Sequence, residues 1–164
     1  MTGEVATLLR QGNIEKAVSR AKQIAESENT GESYSDLTYA FLGARNVEAA
    51  LEAATSAVRS NPREPAFRFL RARIEFMHGN AARAFHDAQR SVKYSEELHN
   101  EYYVASSQLL AAASLVKLSR LQDARAILER VNEDVQVFAG ELITRASVMN
   151  SLRGLRTRFD AGLA

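Results

Sequence analysis

The stretch from Asn46 to Val58, NVEAALEAATSAV, decides the fold of this chain. Ala50, Ala54 and Val58 are spaced four residues apart, so they line one face of a helix. Alanine on that face lets a second helix approach to about 8–10 Å. Asn46 comes directly before the helix, where a short polar side chain can cap free backbone N–H groups. The stretch therefore predicts a helix with a seam of small residues.

The same pattern recurs on both sides of this stretch. One copy starts at Asn80, 34 positions later, and another at Asn13, 33 positions earlier. The matching seam positions are Ala84, Ala88 and Val92 in the later copy, and Ala17, Ala21 and Ala25 in the earlier one, in which Ile14 also matches Val47. Gly12 and Gly79 precede two of the asparagines, and glycine readily takes the left-handed turn that ends a helix. Each unit is thus a helix, a tight turn and a second helix, and such units bury their apolar faces by stacking.

The residues around the central seam resemble a tetratricopeptide repeat. The residues that carry this resemblance are Tyr34, Leu37, Thr38, Phe41, Ala50, Ala54 and Pro62. Thr38 stands where the family has glycine, and Ala54 where it has an aromatic residue, so the repeat is degenerate. The next unit keeps the small residues of the pattern but has Arg68 and Arg71 where large apolar residues are usual. The resemblance covers residues 1–132 and implies a stack of helical repeats.

We therefore expect an all-α solenoid of about three to four helix-turn-helix repeats, forming a single domain over residues 1–164. The expected repeats are at about 1–30, 31–64, 65–100 and 101–134, followed by a capping helix over 136–159. The apolar face expected for that helix is Phe138, Leu142, Ala146, Met149, Leu152 and Leu155. No segment alternates with period two over a strand length, so the sequence predicts no sheet.

One link departs from the repeat period. Ala84 and the equivalent Ala124 are 40 residues apart, and the excess falls at 94–101. The sequence leaves two explanations open, a longer loop or an extended helix, and slightly favours the extended helix.

Composition excludes several classes of protein. The 21 basic and 20 acidic residues nearly balance, which predicts no bulk attraction to nucleic acid or to a membrane. The chain has no cysteine, so it has neither disulfides nor a cysteine-rich zinc site. The first residues do not resemble a signal peptide, and no run approaches the roughly 20 apolar residues that span a bilayer. We expect a cytoplasmic protein.

The sequence carries no pattern typical of an enzyme. His78, His86 and His99 do not have the spacing of metal ligands. There is no glycine-rich phosphate loop and no nucleophile motif. We therefore expect no catalytic residue, no metal site and no cofactor.

The resemblance implies a concave groove lined by the first helix of each repeat. The groove residues it implies are Ser35, Tyr39, Leu42, Phe69, Arg73, Phe76, Leu109, Ala113, Val116 and Lys117. Aromatic walls with two cations, Arg73 and Lys117, would suit an extended or helical peptide with apolar anchors and acidic character. The alternative is that the C-terminal helix folds back onto Phe69 and Phe76 and fills the groove.

The arginines between positions 63 and 73 have a simpler explanation. Arg63, Arg68, Arg71 and Arg73 are expected to form a solvated face paired with Glu64 and Glu75, because exposed ion pairs are ordinary.

Three functions follow from the resemblance. The first is a protein-interaction module that holds a peptide or a partner protein. The second is a cytoplasmic chaperone of secreted proteins, since three-repeat secretion chaperones are similar in length and repeat number. The third is a structural subunit or a homo-oligomer, assembled through an uncapped edge or through Tyr102 and Tyr103.

Overall fold

Four antiparallel helix pairs form the body of the computed structural model, which describes residues 3–160, with the side chains in that range except those at 156 and 158–160. The helices are α1 Gly3–Arg10, α2 Ile14–Glu28, α3 Gly31–Gly43, α4 Val47–Ser60, α5 Pro65–Met77, α6 Ala81–Glu97, α7 Val104–Lys117 and α8 Leu121–Leu128. Consecutive helices pack together, and α1, α3, α5 and α7 also contact one another in series. This arrangement confirms an all-α solenoid of helical repeats, with the first helices of the pairs side by side.

The four pairs share one turn conformation. The turn residues with positive φ are Gly12 (74°), Arg45 (56°), Gly79 (87°) and Ser119 (58°). In each turn the following N–H donates to a carbonyl five residues back, as from Asn46 to Phe41 at 2.9 Å. This is the hydrogen bond of a Schellman motif, which ends one helix and starts the next. The sequence marks only two of these turns with glycine, but all four fold alike.

The asparagines after these turns have different roles. The Asn46 side chain accepts a hydrogen bond from the Ala49 N–H at 3.0 Å, which confirms the predicted cap of α4. The Asn80 side chain instead donates to Glu75 at 2.7 Å across the turn. Asn80, which precedes α6 as Asn46 precedes α4, therefore makes no side-chain cap, because a buried carboxylate competes for its side chain.

The small-residue seams are buried as predicted. Ala50 and Ala54 are fully buried and pack in one cluster with Leu70 and Ile74 of α5. Alanines allow this close approach because their side chains end at Cβ. The seam therefore joins one repeat to the next.

The irregular link after α6 combines both explanations. Helix α6 continues to Glu97, and a turn with His99 in the left-handed region follows (φ 51°). A 3₁₀ turn, Glu101–Tyr103, then leads into α7. The extra residues thus place two tyrosines at the entrance of α7.

Residues 136–144 form a β-hairpin, so the predictions of no sheet and of a helix starting at 136 are wrong. Strand β1, Gln136–Phe138, pairs antiparallel with β2, Leu142–Thr144. The chain reverses at Gly140, whose φ of 80° favours glycine. Valine, isoleucine and threonine, which prefer strands, occupy the arms of the hairpin.

Helix α9, Arg145–Asp160, follows the hairpin and packs against α7 and α8. It buries Val148 and Leu152. Of the face predicted for a longer helix, Phe138 and Leu142 lie on the hairpin and are more than half exposed. The predicted face is thus confirmed at Leu152, which is buried, and at Met149, which packs against the same cluster. It is wrong at Phe138 and Leu142, because the helix begins nine residues later.

A buried carboxylate accounts for the two unusual arginines of α5. Arg68 and Arg71 both donate to Asp87 of α6, at 2.6–2.9 Å. The side chains of Arg68 and Asp87 are only 8% and 5% exposed. The prediction of a solvated face is thus wrong for these two arginines, which fill a helix–helix contact together with Asp87.

Candidate functional site

The C-terminal part of the concave face is covered by the hairpin and α9. Phe76, Leu109 and Ala113 are buried and belong to the same core cluster as Val137 and Ile143 of the hairpin. Val116 packs against this cluster from α7. The structure therefore places these four predicted groove positions beneath the chain's own C-terminal segment.

The two cations predicted for the groove contact this hairpin. Arg73 Nε donates to the Phe138 carbonyl at 2.7 Å. Lys117 Nζ lies 4.0 Å from the centroid of the Phe76 ring and 4.0 Å from a carboxylate oxygen of Glu141. The Arg73 hydrogen bond thus helps to fix the hairpin on the array, whereas the exposed Lys117–Glu141 pair contributes little.

A cavity of about 850 Å³ remains between α3, α5, the 3₁₀ turn and β1. We call it the α3–β1 cavity; its lining includes four predicted groove residues, Ser35, Tyr39, Phe69 and Arg73. Leu42 lies elsewhere, packed against the cluster that joins α4 and α5. The structure therefore brings together the predicted residues of the N-terminal half of the groove, with the exception of Leu42.

Aromatic rings form much of the cavity wall. Phe69 and Tyr103 pack with their ring centroids 5.6 Å apart, and Tyr102 meets Tyr103 edge to face at 4.8 Å. Tyr102 is 78% exposed, which leaves its ring available for further contact. The sequence suggested Tyr102 and Tyr103 only as an oligomer contact. Their place at the end of the irregular link is the signal that could have put them at the groove.

The charges around the cavity are mixed. Glu32 and Glu64 contribute carboxylates, whereas Arg73 contributes a guanidinium, which lies 5.9 Å from the centroid of the Phe69 ring. Burial raises the pKa of Tyr103, and nearby Tyr39, Tyr102 and Glu64 raise it further. The Tyr103 hydroxyl is therefore neutral at physiological pH and can donate a hydrogen bond.

Two other features are absent from the described range. Among residues 3–160, no three His, Asp or Glu side chains are grouped so that they could hold a metal ion. No helix in the same range combines the length and apolar character needed to cross a bilayer.

The comparisons with known proteins agree with this architecture. Residues 35–97, which include most of α3 and all of α4 to α6, match the tetratricopeptide repeat family. The chain is also similar to a thermophilic tetratricopeptide repeat protein from Thermus thermophilus, with a TM-score of 0.60 and 18% identity over 77% of this chain and 68% of that one. No curated protein matches the chain. The family match over residues 35–97 and the fold shared with this structure support a tetratricopeptide repeat family for the chain.

Proposed function

We propose that this protein is an interaction module that binds a short peptide segment of a partner protein in the α3–β1 cavity. The observation that carries the proposal is the cavity of about 850 Å³, which has aromatic residues of α3, α5, the 3₁₀ turn and β1 in its lining. Its volume lies within the range of about 300–1,000 Å³ that is ordinary for binding sites. Tyrosine and arginine, both present in the lining, are among the residues that contribute most to binding energy at interfaces.

The lining also indicates the chemistry of the partner. An apolar or aromatic side chain would pack against Phe69 and Tyr103, which already contact each other. The expectation of an acidic partner rested on Arg73 and Lys117, which both contact the hairpin. Glu32 and Glu64 line the cavity as well, so we propose a segment with an apolar anchor beside a basic residue.

A peptide selected from a random display library against the full-length chain tests this proposal. Its affinity is measured by fluorescence anisotropy with wild type, Tyr102→Ala and Leu98→Ala. Tyr102 is 78% exposed and Leu98 56% exposed, so neither change should disturb the fold. Leu98 lies at the end of α6 and is not part of the cavity lining, which makes it a matched control.

We expect Tyr102→Ala to weaken binding by about tenfold, as removal of an aromatic contact at a binding hot spot does. Leu98→Ala should bind like the wild type. Failure to select any peptide, or equal affinity of the three proteins, would contradict the proposal.

A further inference from the structure

Strand β1 lies beside the α3–β1 cavity, and we propose that the bound segment pairs with its outer edge as a third strand of the sheet. This inference rests on the proposed function and specifies how the peptide is held. In the described part of the chain, β1 pairs with β2 alone. All three residues of β1, Gln136 to Phe138, line the cavity. A strand with one unpaired edge is a template for a further strand.

The hydrogen bonds show which backbone groups point toward the cavity. In an antiparallel strand each residue points its N–H and C=O to the same edge, and successive residues alternate between edges. The Ala139 N–H donates to the Glu141 carbonyl, so Ala139 faces the β2 side. The Phe138 carbonyl accepts from Arg73 of α5, so Phe138 faces the opposite side. Gln136, two residues earlier, shares that outer edge.

Arg73 acts as a positioning residue for this edge. Its Nε holds the Phe138 carbonyl at 2.7 Å, which fixes β1 relative to α5 and the aromatic wall. A carbonyl oxygen has two lone pairs, so the same oxygen can also accept from a peptide N–H. The edge therefore stays competent for pairing while it is anchored.

The outward N–H and C=O groups of β1 require an extended peptide as the occupant. A helical segment uses its backbone N–H and C=O groups internally, whereas a strand offers them to a neighbouring edge. Successive side chains of an added strand point to opposite faces, so alternate residues would face the aromatic wall. The carboxylates of Glu32 and Glu64 favour a lysine or arginine near these apolar positions. We therefore commit to an extended segment with alternating apolar residues and a basic residue.

A pair of substitutions at Gln136 tests the edge directly. Gln136→Pro removes the outward N–H, and proline is tolerated at the first position of a strand and where the N–H points outward. Gln136→Ala removes the same side chain but keeps the N–H. With the library-selected, fluorescein-labelled peptide as the probe, we expect the alanine variant to bind like the wild type. The proline variant should bind about fivefold more weakly, the effect of one lost hydrogen bond.

A methyl scan of the same peptide tests pairing without changing the protein. One backbone amide at a time is N-methylated, and each peptide is measured against the wild-type chain. Strand pairing predicts losses of about fivefold or more at every second amide, with little change at the amides between them. Because the protein is unaltered, this result does not depend on how Gln136→Pro folds.

The outcomes separate this inference from the proposed function. If Tyr102→Ala weakens binding while the methyl scan shows no alternation, the peptide binds in the cavity and strand pairing is overturned. If Tyr102→Ala has no effect, the proposed function fails, and strand pairing in the cavity fails with it. Alternating losses together with a weaker Gln136→Pro variant would establish the third strand.

Discussion

Replacing Asp87 by alanine should destabilise this protein far more than its single lost carboxylate suggests. Asp87 Oδ1 accepts from Arg68 and Arg71, each at 2.9 Å, and Oδ2 accepts from Arg71 at 2.6 Å. The side chain of Arg68 is only 8% exposed. The substitution therefore leaves a buried guanidinium without its counter-charge.

The structure sets the size of the effect. Removing one partner of a buried ion pair costs about 3–5 kcal/mol of unfolding free energy. Arg68 keeps a hydrogen bond from Nε to the Pro62 carbonyl at 3.0 Å, and the side chain of Arg71 is 18% exposed. Both features reduce the penalty, so we expect a loss of about 3 kcal/mol. At about 2–4 °C per kcal/mol for a chain of this size, Tm should fall by roughly 6–12 °C.

Urea unfolding followed by far-UV circular dichroism measures the loss, with Glu4→Ala as the matched control. Glu4 accepts from Arg20 at 2.8 Å, a similar distance, but these side chains are 58% and 43% exposed. Breaking this exposed pair should cost less than about 1 kcal/mol. If Asp87→Ala costs no more than Glu4→Ala, the reasoning from burial is refuted.

A triple variant separates charge burial from lost packing. Arg68→Leu and Arg71→Leu, combined with Asp87→Ala, put the large apolar residues usual in the family at both α5 positions. Because no charge is then left unpaired, we expect stability to return to within about 1 kcal/mol of wild type. A triple variant as unstable as Asp87→Ala alone would show that the unpaired charge is not the cause.

Three further predictions concern other positions. Gly31→Ala would place a Cβ 2.2 Å from the Phe67 ring and should lower the free energy of unfolding in urea by about 1–3 kcal/mol. The Cβ of Gly154→Ala would meet nothing within 4 Å, so this change should stabilise α9 by about 0.5–1 kcal/mol. Ser95 has a buried hydroxyl without a hydrogen-bond partner in the described chain, so Ser95→Ala should raise the unfolding free energy by about 1 kcal/mol in the same assay. Burial raises the pKa of Tyr103, so the unfolded chain releases the phenolic proton at a lower pH than the folded chain does. The stability that the neutral form contributes is therefore complete below about pH 10 and is lost as the pH rises above it. Urea unfolding of wild type and Tyr103→Phe at stepped pH tests this: the difference in unfolding free energy between them should be constant below about pH 10 and should change only above it.

The helices could be predicted because their signals are local. A seam of alanines four residues apart, a capping asparagine such as Asn46 and a glycine turn all lie within one repeat. The recurrence of these signals fixes the helix pairs even where one signal is missing. Arg45 and Ser119 take the same left-handed turn as Gly12 and Gly79, although such residues rarely adopt it. The neighbouring copies, rather than the turn residue itself, reveal these turns.

The hairpin was missed because its spacing imitates a helix. Phe138 and Leu142 are four residues apart, which suggested one helix face, yet they are direct partners across a turn at Gly140. Two residues on either side of a three-residue hairpin loop have the same separation as two residues on a helix face. Strands of three residues are also too short to show a period of two. Local spacing alone could not separate the two structures at this point.

The contacts of Arg68, Arg71 and Tyr103 depend on tertiary structure. Asp87, which pairs with both arginines, lies 19 and 16 residues further along the chain. Phe69, which contacts Tyr103, comes from another helix pair. Sequence patterns show that these residues are present but do not show their partners. The sequence therefore predicts an exposed face for the arginines and does not place the tyrosines at the groove.

The hairpin also limits how strongly the proposed site can bind. It covers the concave face around Phe76 and Leu109, so the space left for a partner beside β1 is the cavity of about 850 Å³. Each hydrogen bond to the β1 edge contributes about 0.5–1.5 kcal/mol of binding free energy to a short extended segment. An aromatic anchor of the segment contributes more than one such hydrogen bond. Association itself costs at least about 4 kcal/mol. A single segment should therefore bind transiently, and tight binding would require a partner that presents several such segments or an additional surface outside the cavity.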